Sequence, residues 1–122
     1  MRIEAFSEGK NLDEPGANED AFLILPGLGY AVIDGVTDIS GRMVDGMRTG
    51  RLASRIVQQA AAAVLADALE ARGRPEALIE RASAALCAAY ARHGVLDECR
   101  ADPARRFGAT LTVAIEIGRA SV

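Results

Sequence analysis

Two short acidic segments beside two apolar runs are the part of this chain best suited to metal chemistry. Glu19-Asp20 directly precedes the apolar run 21–25, and Asp34 directly follows the apolar run 30–33. If the two runs pair as a hairpin through the short Pro-Gly turn between them, the start of the first lies beside the end of the second. The three carboxylates then converge at one sheet edge. Carboxylate oxygens are hard ligands, so this arrangement predicts a site for Mg²⁺ or Mn²⁺.

The composition is that of one small folded domain. Half of the 122 residues are apolar, and 17 acidic against 14 basic residues give a net charge of -3. A general nucleic-acid binder needs a broad positive field, so no nucleic-acid partner is expected. The longest apolar run, 60–66, is too short to cross a bilayer, and the first residues lack the apolar core of a signal peptide. We therefore expect a cytoplasmic protein with no membrane partner.

The first elements predicted along the chain are the strands that would position the carboxylates. Residues 2–7 alternate weakly between polar and apolar and predict an edge strand. The hairpin strands are apolar at consecutive positions, which predicts that both faces of their sheet are covered. Asn18 is expected to orient the loop before the first of them by bonding its own backbone.

Two helices are predicted between the hairpin and the last strand. The first runs from about Val44 or Met47 to Ala71, with apolar residues every four positions, and Gly73-Arg74-Pro75 ends it. The second covers about 76–92 and closes near Gly94. Many alanines allow close approach, so the helices are expected to form an antiparallel pair.

A charged connection, 97–107, leads to the last strand. It opens at Gly108, and its apolar side chains at every second position predict one buried face: Leu111, Val113, Ile115 and Ile117. The expected fold is α+β, with about four strands and two long antiparallel helices. An apolar last strand with no successor leaves an exposed edge, so the chain is expected to be part of a larger sheet assembly.

Four short motifs carry a resemblance to a known family. In chain order they are Asn18-Glu19-Asp20-Ala21, Ala31-Val32-Ile33-Asp34-Gly35, Gly50-Arg51-Leu52-Ala53-Ser54 and Gly108-Ala109-Thr110-Leu111-Thr112. Their order and separation resemble those of the protein phosphatase 2C family, the metal-dependent serine/threonine phosphatases. The resemblance implies an antiparallel β-sandwich flanked by helix pairs. The resemblance covers nearly the whole chain. Residues 1–122 would then be a single partial domain that corresponds to the N-terminal half of the family's domain.

The resemblance also implies a site and a reaction. Asp34 would bridge two Mn²⁺ or Mg²⁺ ions, the Gly35 carbonyl would complete one coordination shell, and Glu19 and Asp20 would hold bound waters. The substrate would be a phosphorylated protein, hydrolysed at phosphoserine or phosphothreonine by metal-activated water. Because the family's remaining metal aspartates belong to its second half, the isolated chain is expected to be inactive or nearly so.

The chain departs from the family's pattern at two places, and the missing arginine and the missing second half of the domain favour an alternative. The family has a phosphate-binding arginine a few residues before its acidic motif, but this chain has 14–17, Glu-Pro-Gly-Ala. Asp38 stands where the family has glycine, either as an added ligand or in a turn. Arg105 or Arg106 is a candidate replacement for the arginine. The alternative is a non-catalytic, phosphatase-like binding module that dimerises through its bare strand edge.

Other reactive side chains have simpler expected roles. Ser54 has no histidine nearby and is expected to be a small helix-packing residue. His93 is expected to interact with the dipole at a helix C-terminus. Cys87 is expected in the core and Cys99 in a polar connection, both as reduced thiols. Arg51 and Arg55 are expected to be solvated. An aspartate at a strand end followed by glycine, such as Asp34, is on its own more often a turn residue than a metal ligand.

Overall fold

The computed structural model describes residues 2–9, 18–67, 71 and 73–116. These residues form an α+β fold with a three-stranded antiparallel sheet and a small two-stranded hairpin. The strands are β1 Asp20–Leu25, β2 Gly29–Val36, β3 Met43–Val44, β4 Met47–Arg48 and β5 Gly108–Ile115. The helices are α1 Thr49–Ala66, α2 Ala77–Arg92 and α3 Leu96–Ala101, followed by a 3₁₀ turn at Pro103–Arg105.

The larger sheet has the order β1-β2-β5, and both of its strand pairs are antiparallel. The predicted hairpin is confirmed: β1 pairs with β2 from Asp20 opposite Asp34 to Leu25 opposite Gly29. Gly27 supplies the positive φ, 79°, that the connecting turn requires. The last predicted strand, β5, pairs along the other edge of β2. Its predicted Ile117 lies outside the described residues.

The long helix α1 packs on one face of this sheet. Its stripe of small and branched side chains recurs at helical spacing and is buried: Ala53, Val57, Ala61, Val64 and Leu65. Residues from the β2–β3 loop form hydrogen bonds with residues in the first turn of α1. Gly50 N donates to Thr37 Oγ1 at 3.2 Å, and Asp38 N donates to Thr49 Oγ1 at 3.1 Å.

The predicted antiparallel helix pair is confirmed by the order of its contacts. Ala53 near the start of α1 packs with Tyr90 near the end of α2. Val57 packs with Ala82 in the middle of the pair. Leu65 near the end of α1 packs with Leu78 and with partly buried strand residues. The alanines in this interface keep the two backbones close, as the composition indicated.

Several predicted boundaries are wrong. Helix α1 begins at Thr49 because residues 43–48 form the β3–β4 hairpin instead. The turn between β3 and β4 consists of Asp45 and Gly46. Both residues have a positive φ, 52° and 70°, which is typical of an Asp-Gly hairpin turn. Residues 2–9 form no strand. The predicted connection 97–107 contains α3 and the 3₁₀ turn. Gly94, with φ 71°, does follow α2 as expected.

The expectation that both faces of the hairpin are covered is wrong for the described part of the chain. Ile33, which points toward α1, is 0% exposed, whereas its neighbour Val32 is 64% exposed. Phe22, opposite Val32 on β1, is 38% exposed. Both described long helices lie on the same side of the sheet. We call the side with Phe22 and Val32 the open face and the side with Ile33 the covered face.

The two cysteines have exchanged environments relative to expectation. Cys87 is exposed, and Cys99 is buried; both are free thiols. Cys87 lies at a solvent-exposed position of α2. Cys99 lies on α3, which folds back against Tyr90 and Phe107, and its thiol donates to the Arg105 carbonyl at 3.4 Å. No helix within the described ranges is both long and apolar enough to cross a membrane.

Candidate functional site

Asp20 and Asp34 lie directly opposite each other on β1 and β2. Directly opposed residues of an antiparallel pair point to the same face, with Cα atoms about 4.5–5.5 Å apart. Both side chains are exposed on the open face, and both line a cavity of about 730 Å³. We call it the carboxylate cavity; Phe22, Val32 and segment 4–8 complete its wall. The predicted convergence of these two carboxylates is confirmed.

Glu19 lies on the other side of the strand from Asp20, as side-chain alternation requires. Its carboxylate sits against the N-terminus of α1, where a Cβ atom added to Gly50 would collide with it. Arg48 Nη1 lies 4.0 Å from Glu19 Oε1, and the Glu19 side chain is 20% exposed. The positive end of a helix dipole and a nearby guanidinium both stabilise a carboxylate. Glu19 therefore contacts α1 instead of joining the pair.

Gly35 lies where β2 passes close to the first turn of α1. Its amide donates to the Glu19 carbonyl at 3.1 Å, which extends the β1–β2 ladder by one bond. A Cβ atom at Gly35 would collide with the Gly50 carbonyl group. Glycine is needed here for close approach of two backbones.

Asn18 orders the chain just before β1. Its Oδ1 accepts a hydrogen bond from Asp20 N at 3.1 Å, and its Nδ2 donates to Ser7 Oγ at 2.9 Å. The first of these is the predicted bond from its side chain to its own backbone, here two residues on. The bonds hold the start of the strand that carries Asp20.

Asp38 does not join the carboxylate pair. It is 5% exposed, its Oδ2 accepts from Ser40 Oγ at 2.8 Å, and Arg42 Nε lies 2.9 Å from the same oxygen. Arg42 also pairs with Glu98 and donates to the Arg105 carbonyl at 3.1 Å. Of its two predicted alternatives, Asp38 has the turn role, in a loop that Arg42 ties to the α3 region.

A second, polar cavity of about 490 Å³ lies between α1 and the start of β1. We call it the arginine cavity; its polar wall includes Asn18, Asp20, Arg51, Arg55, Gln58 and Gln59. Arg51 is only partly exposed, and its Nη1 donates to the Asn18 carbonyl at 3.3 Å. Sequence reasoning treated both arginines as solvated. Their spacing of four residues on a predicted helix was the available signal that they share a face.

The remaining candidates lie away from both cavities. Arg106 Nε donates to the Cys99 carbonyl at 2.6 Å, and neither Arg105 nor Arg106 lines either cavity. Ser54 is buried, and its hydroxyl donates to the Arg51 carbonyl at 2.9 Å, which confirms its helix-packing role. His93 ends α2, and its Nδ1 lies 3.6 Å from Asp45 Oδ2.

The donor set suits a divalent ion that keeps several non-protein ligands. Within residues 2–9, 18–67, 71 and 73–116, no three His, Cys, Asp or Glu side chains form a metal-binding group. Mg²⁺ is commonly bound by one or two carboxylates, with water and substrate phosphate supplying the other oxygens. The Asp20–Asp34 pair fits that mode of binding. It does not fit a site built entirely from protein ligands.

Comparisons with protein-family models, with curated proteins and with solved structures yield no match.

Proposed function

We propose that this chain is part of a metal-dependent protein serine/threonine phosphatase of the 2C type, with Asp20 and Asp34 at the metal site. One observation carries the proposal: the two aspartates are register partners on the open face, beside a cavity large enough for water and a phosphoryl group. Both carboxylates are exposed and lie on the same face, an arrangement that suits a divalent cation.

When bound, the divalent ion supplies an acidified water and neutralises charge on the phosphoryl group. The chain's own residues bind and orient. Asp34 would hold the divalent ions of the complete domain, together with the Gly35 carbonyl. Asp20 would hold bound water beside Asp34, whereas Glu19, on the other side of β1, contacts the start of α1. Asn18 holds the start of β1, so that Asp20 stays opposite Asp34.

The proposal includes a second sheet over the open face, which gives a β-sandwich with helices outside. The exposed apolar side chains Phe22, Val32 and Val36 support it, because an apolar face left in water is unfavourable. The substrate is a phosphorylated protein, and the proposed compartment is the cytoplasm. Alone, the chain would be inactive or nearly so, because two aspartates are too few to hold two ions tightly.

A non-catalytic binding module is the second candidate. The observation that favours it is the lack of a three-member ligand group in the part of the chain that the structure describes. In that case the outer edge of β5 would pair with a second copy, since its other edge is already bonded to β2.

Calorimetric titration of Mn²⁺ at an ionic strength of about 0.15 M tests the metal site. We expect the wild-type chain to bind Mn²⁺ weakly, and Asp34→Asn and Asp20→Asn each to lower the affinity at least about tenfold. Asp34→Asn removes a charged ligand, and Asp20→Asn removes the carboxylate directly opposite it. The matched control is Asp97→Asn, an exposed carboxylate in the first turn of α3. Equal binding by all four proteins, or none by the wild type, would favour the binding module.

Hydrolysis of p-nitrophenyl phosphate tests the expected inactivity. With Mn²⁺ present, the isolated chain should show turnover no more than slightly above that of buffer. Readily measurable metal-dependent turnover that Asp34→Asn abolishes would contradict the proposal that further ligands are needed, while keeping the phosphatase assignment.

A further inference from the structure

We propose that two copies of this chain associate through the outer edges of their β5 strands, which pair antiparallel around a two-fold axis centred on Thr112. The two three-stranded sheets then become one continuous sheet. The inference deepens the binding-module candidate, on which it rests, because it names the partner and the register of pairing. It does not use the carboxylates of the proposed metal site, so its test is separate from that of Mn²⁺ binding.

The peptide groups of β5 alternate between bonding to β2 and pointing outward. Glu116 N donates to the Leu28 carbonyl at 2.9 Å, which continues the register of the β2–β5 ladder. Because the bonding direction alternates along an antiparallel strand, the even-numbered residues of β5 bond to β2. The odd-numbered residues therefore present their N–H and C=O groups at the outer edge: Ala109, Leu111, Val113 and Ile115. Among the described residues, no strand pairs with that edge.

The opposite edge of the sheet, that of β1, is capped by side chains. Asn18 Oδ1 accepts a hydrogen bond from Asp20 N at 3.1 Å, and Gln58 Nε2 donates to the Phe22 carbonyl at 2.7 Å. Both bonds use groups on the outer side of β1, as the alternation of the β1–β2 ladder requires. Because these groups are already bonded, extension of the sheet is expected at β5, and the assembly stops at two copies.

Strand β5 has none of the features that usually protect an edge from pairing. Its eight residues, Gly108–Ile115, include no charged residue and no proline. Edge strands commonly carry charge, proline or a bulge, which prevent pairing with another chain. The register of β5 with β2 is continuous over all eight residues, so no bulge interrupts it. The strand is therefore regular and uncharged, as pairing with a second copy requires.

The outward groups of two β5 strands match completely when Thr112 lies on the axis. Ala109 is then opposite Ile115 of the second copy, and Leu111 is opposite Val113 of the second copy. All the outward residues of both strands are hydrogen-bonded in this register. Any other centre leaves an outward residue without a partner in the second β5. Because each copy uses the same surface, the contact is isologous and closes as a dimer.

This register also matches the side chains on both faces of the sheet. On the open face, the exposed Thr112 side chains of the two copies face each other, and opposed threonines stabilise antiparallel strands. On the covered face, Leu111 and Val113 are partly buried against the core and lie beside each other across the axis. Their remaining exposed surface is apolar, so its removal from water favours the dimer.

The first test is the oligomeric state of the purified chain, measured by sedimentation velocity. We expect a concentration-dependent dimer. Thr112→Lys should weaken the dimer at least about tenfold, because the two added charges lie directly opposite each other. Ala114→Lys is the matched control, since it adds the same charge to the same exposed face but opposite Thr110 of the second copy. A monomer at every concentration, or equal weakening by both variants, would overturn the inference.

A cross-link tests the register, and it does not depend on the lysine variants. With the exposed thiol removed by Cys87→Ser, Thr112→Cys should form a covalent dimer with oxidised glutathione as the oxidant. Opposed positions of an antiparallel pair lie within disulfide reach. Thr110→Cys is the control, because its two thiols would lie about 13 Å apart along the strands. Equal cross-linking of both variants, or none in either, would overturn the register.

The outcomes separate this inference from the proposed metal site. A dimer that depends on Thr112, without any Mn²⁺ binding, would retain the β5 contact and reject the phosphatase. Mn²⁺ binding that depends on Asp34, in a chain that stays monomeric, would retain the metal site and reject the dimer.

Discussion

The covered and open faces of the β1-β2-β5 sheet come from the same strands but have opposite environments. On β2, Ile33 is 0% exposed and Val32 is 64% exposed, although both are branched aliphatic residues. The covered face carries packing against α1 and α2, while the open face carries the two aspartates and the carboxylate cavity. On β2, the side chains that stabilise the fold and those that form the candidate site therefore alternate from one residue to the next.

The electrostatic contrast follows the same division. The described carboxylates on the helix side of the sheet have cationic or dipolar partners, as Glu19 has with α1 and Asp38 has with Arg42. Asp20 and Asp34 instead lie directly opposite each other on the open face.

The largest expected effect breaks the covered face. Ile33→Ala should lower the free energy of unfolding by about 2–4 kcal/mol, because it leaves a cavity beside Val57 and Ala82. The matched variant Val32→Ala removes a side chain that is mostly in water, and it should cost less than about 1 kcal/mol. Urea denaturation of both measures the difference. Equal losses would mean that the open face is buried in solution, for example by a second copy.

A smaller effect is expected from adding a methyl group to the covered face. Gly35→Ala should destabilise the chain by about 1–3 kcal/mol, because the new Cβ collides with the Gly50 carbonyl and α1 must shift. Gly108→Ala is the control, since nothing lies within 4 Å of the added atom. Thermal unfolding compares the two. If Gly35→Ala melted with the wild type, the close approach of β2 and α1 would be wrong.

The smallest effect concerns the two tyrosines, one on each side of the sheet. Burial raises the pKa of Tyr90, and so do the nearby Cys99 and Cys87, against the opposing hydrogen bond to the Phe107 carbonyl and the charge of Arg106. Burial, the Glu116 hydrogen bond and the charge of Glu116 raise the pKa of Tyr30 on the open face. Absorbance titration of Tyr30→Phe and Tyr90→Phe reports each remaining tyrosine alone, because the chain has only two.

These raised pKa values fix the sign of a pH effect. The folded state keeps the phenol proton when the unfolded state loses it, so the stabilisation is complete below about pH 10 and is lost as pH rises through the folded pKa. We expect the melting temperature to fall above pH 10, with a shallower fall in Tyr90→Phe.

At neutral pH, Tyr90→Phe should lower the free energy of unfolding by about 1 kcal/mol, because it removes the hydrogen bond to the Phe107 carbonyl. A normal tyrosine pKa in Tyr30→Phe would contradict the burial of Tyr90.

Local patterns predicted the elements whose signals lie within a few residues. The sequence predicted the β1–β2 hairpin, the buried stripe of α1 and the alternation of β5. Helical and strand periodicities involve neighbouring positions, so they can be recognised in the sequence. The β3–β4 hairpin was missed even though its Asp45-Gly46 turn is a strong hairpin signal, because its strands are only two residues long. Helix α3 was missed because six residues, three of them apolar, are too few to show a helical periodicity.

The candidate site divides in the same way. Pairing of the two apolar runs, which the sequence by itself determined, was enough to bring Asp20 opposite Asp34, since antiparallel register follows from the turn length. The separation of Glu19 from Asp20, the burial of Cys99 and the shared cavity of Arg51 and Asp20 were decided only by the tertiary structure. These depend on which face of the sheet α1 covers and on where its first turn meets β1. Contacts between distant segments set both, and no local pattern carries that information.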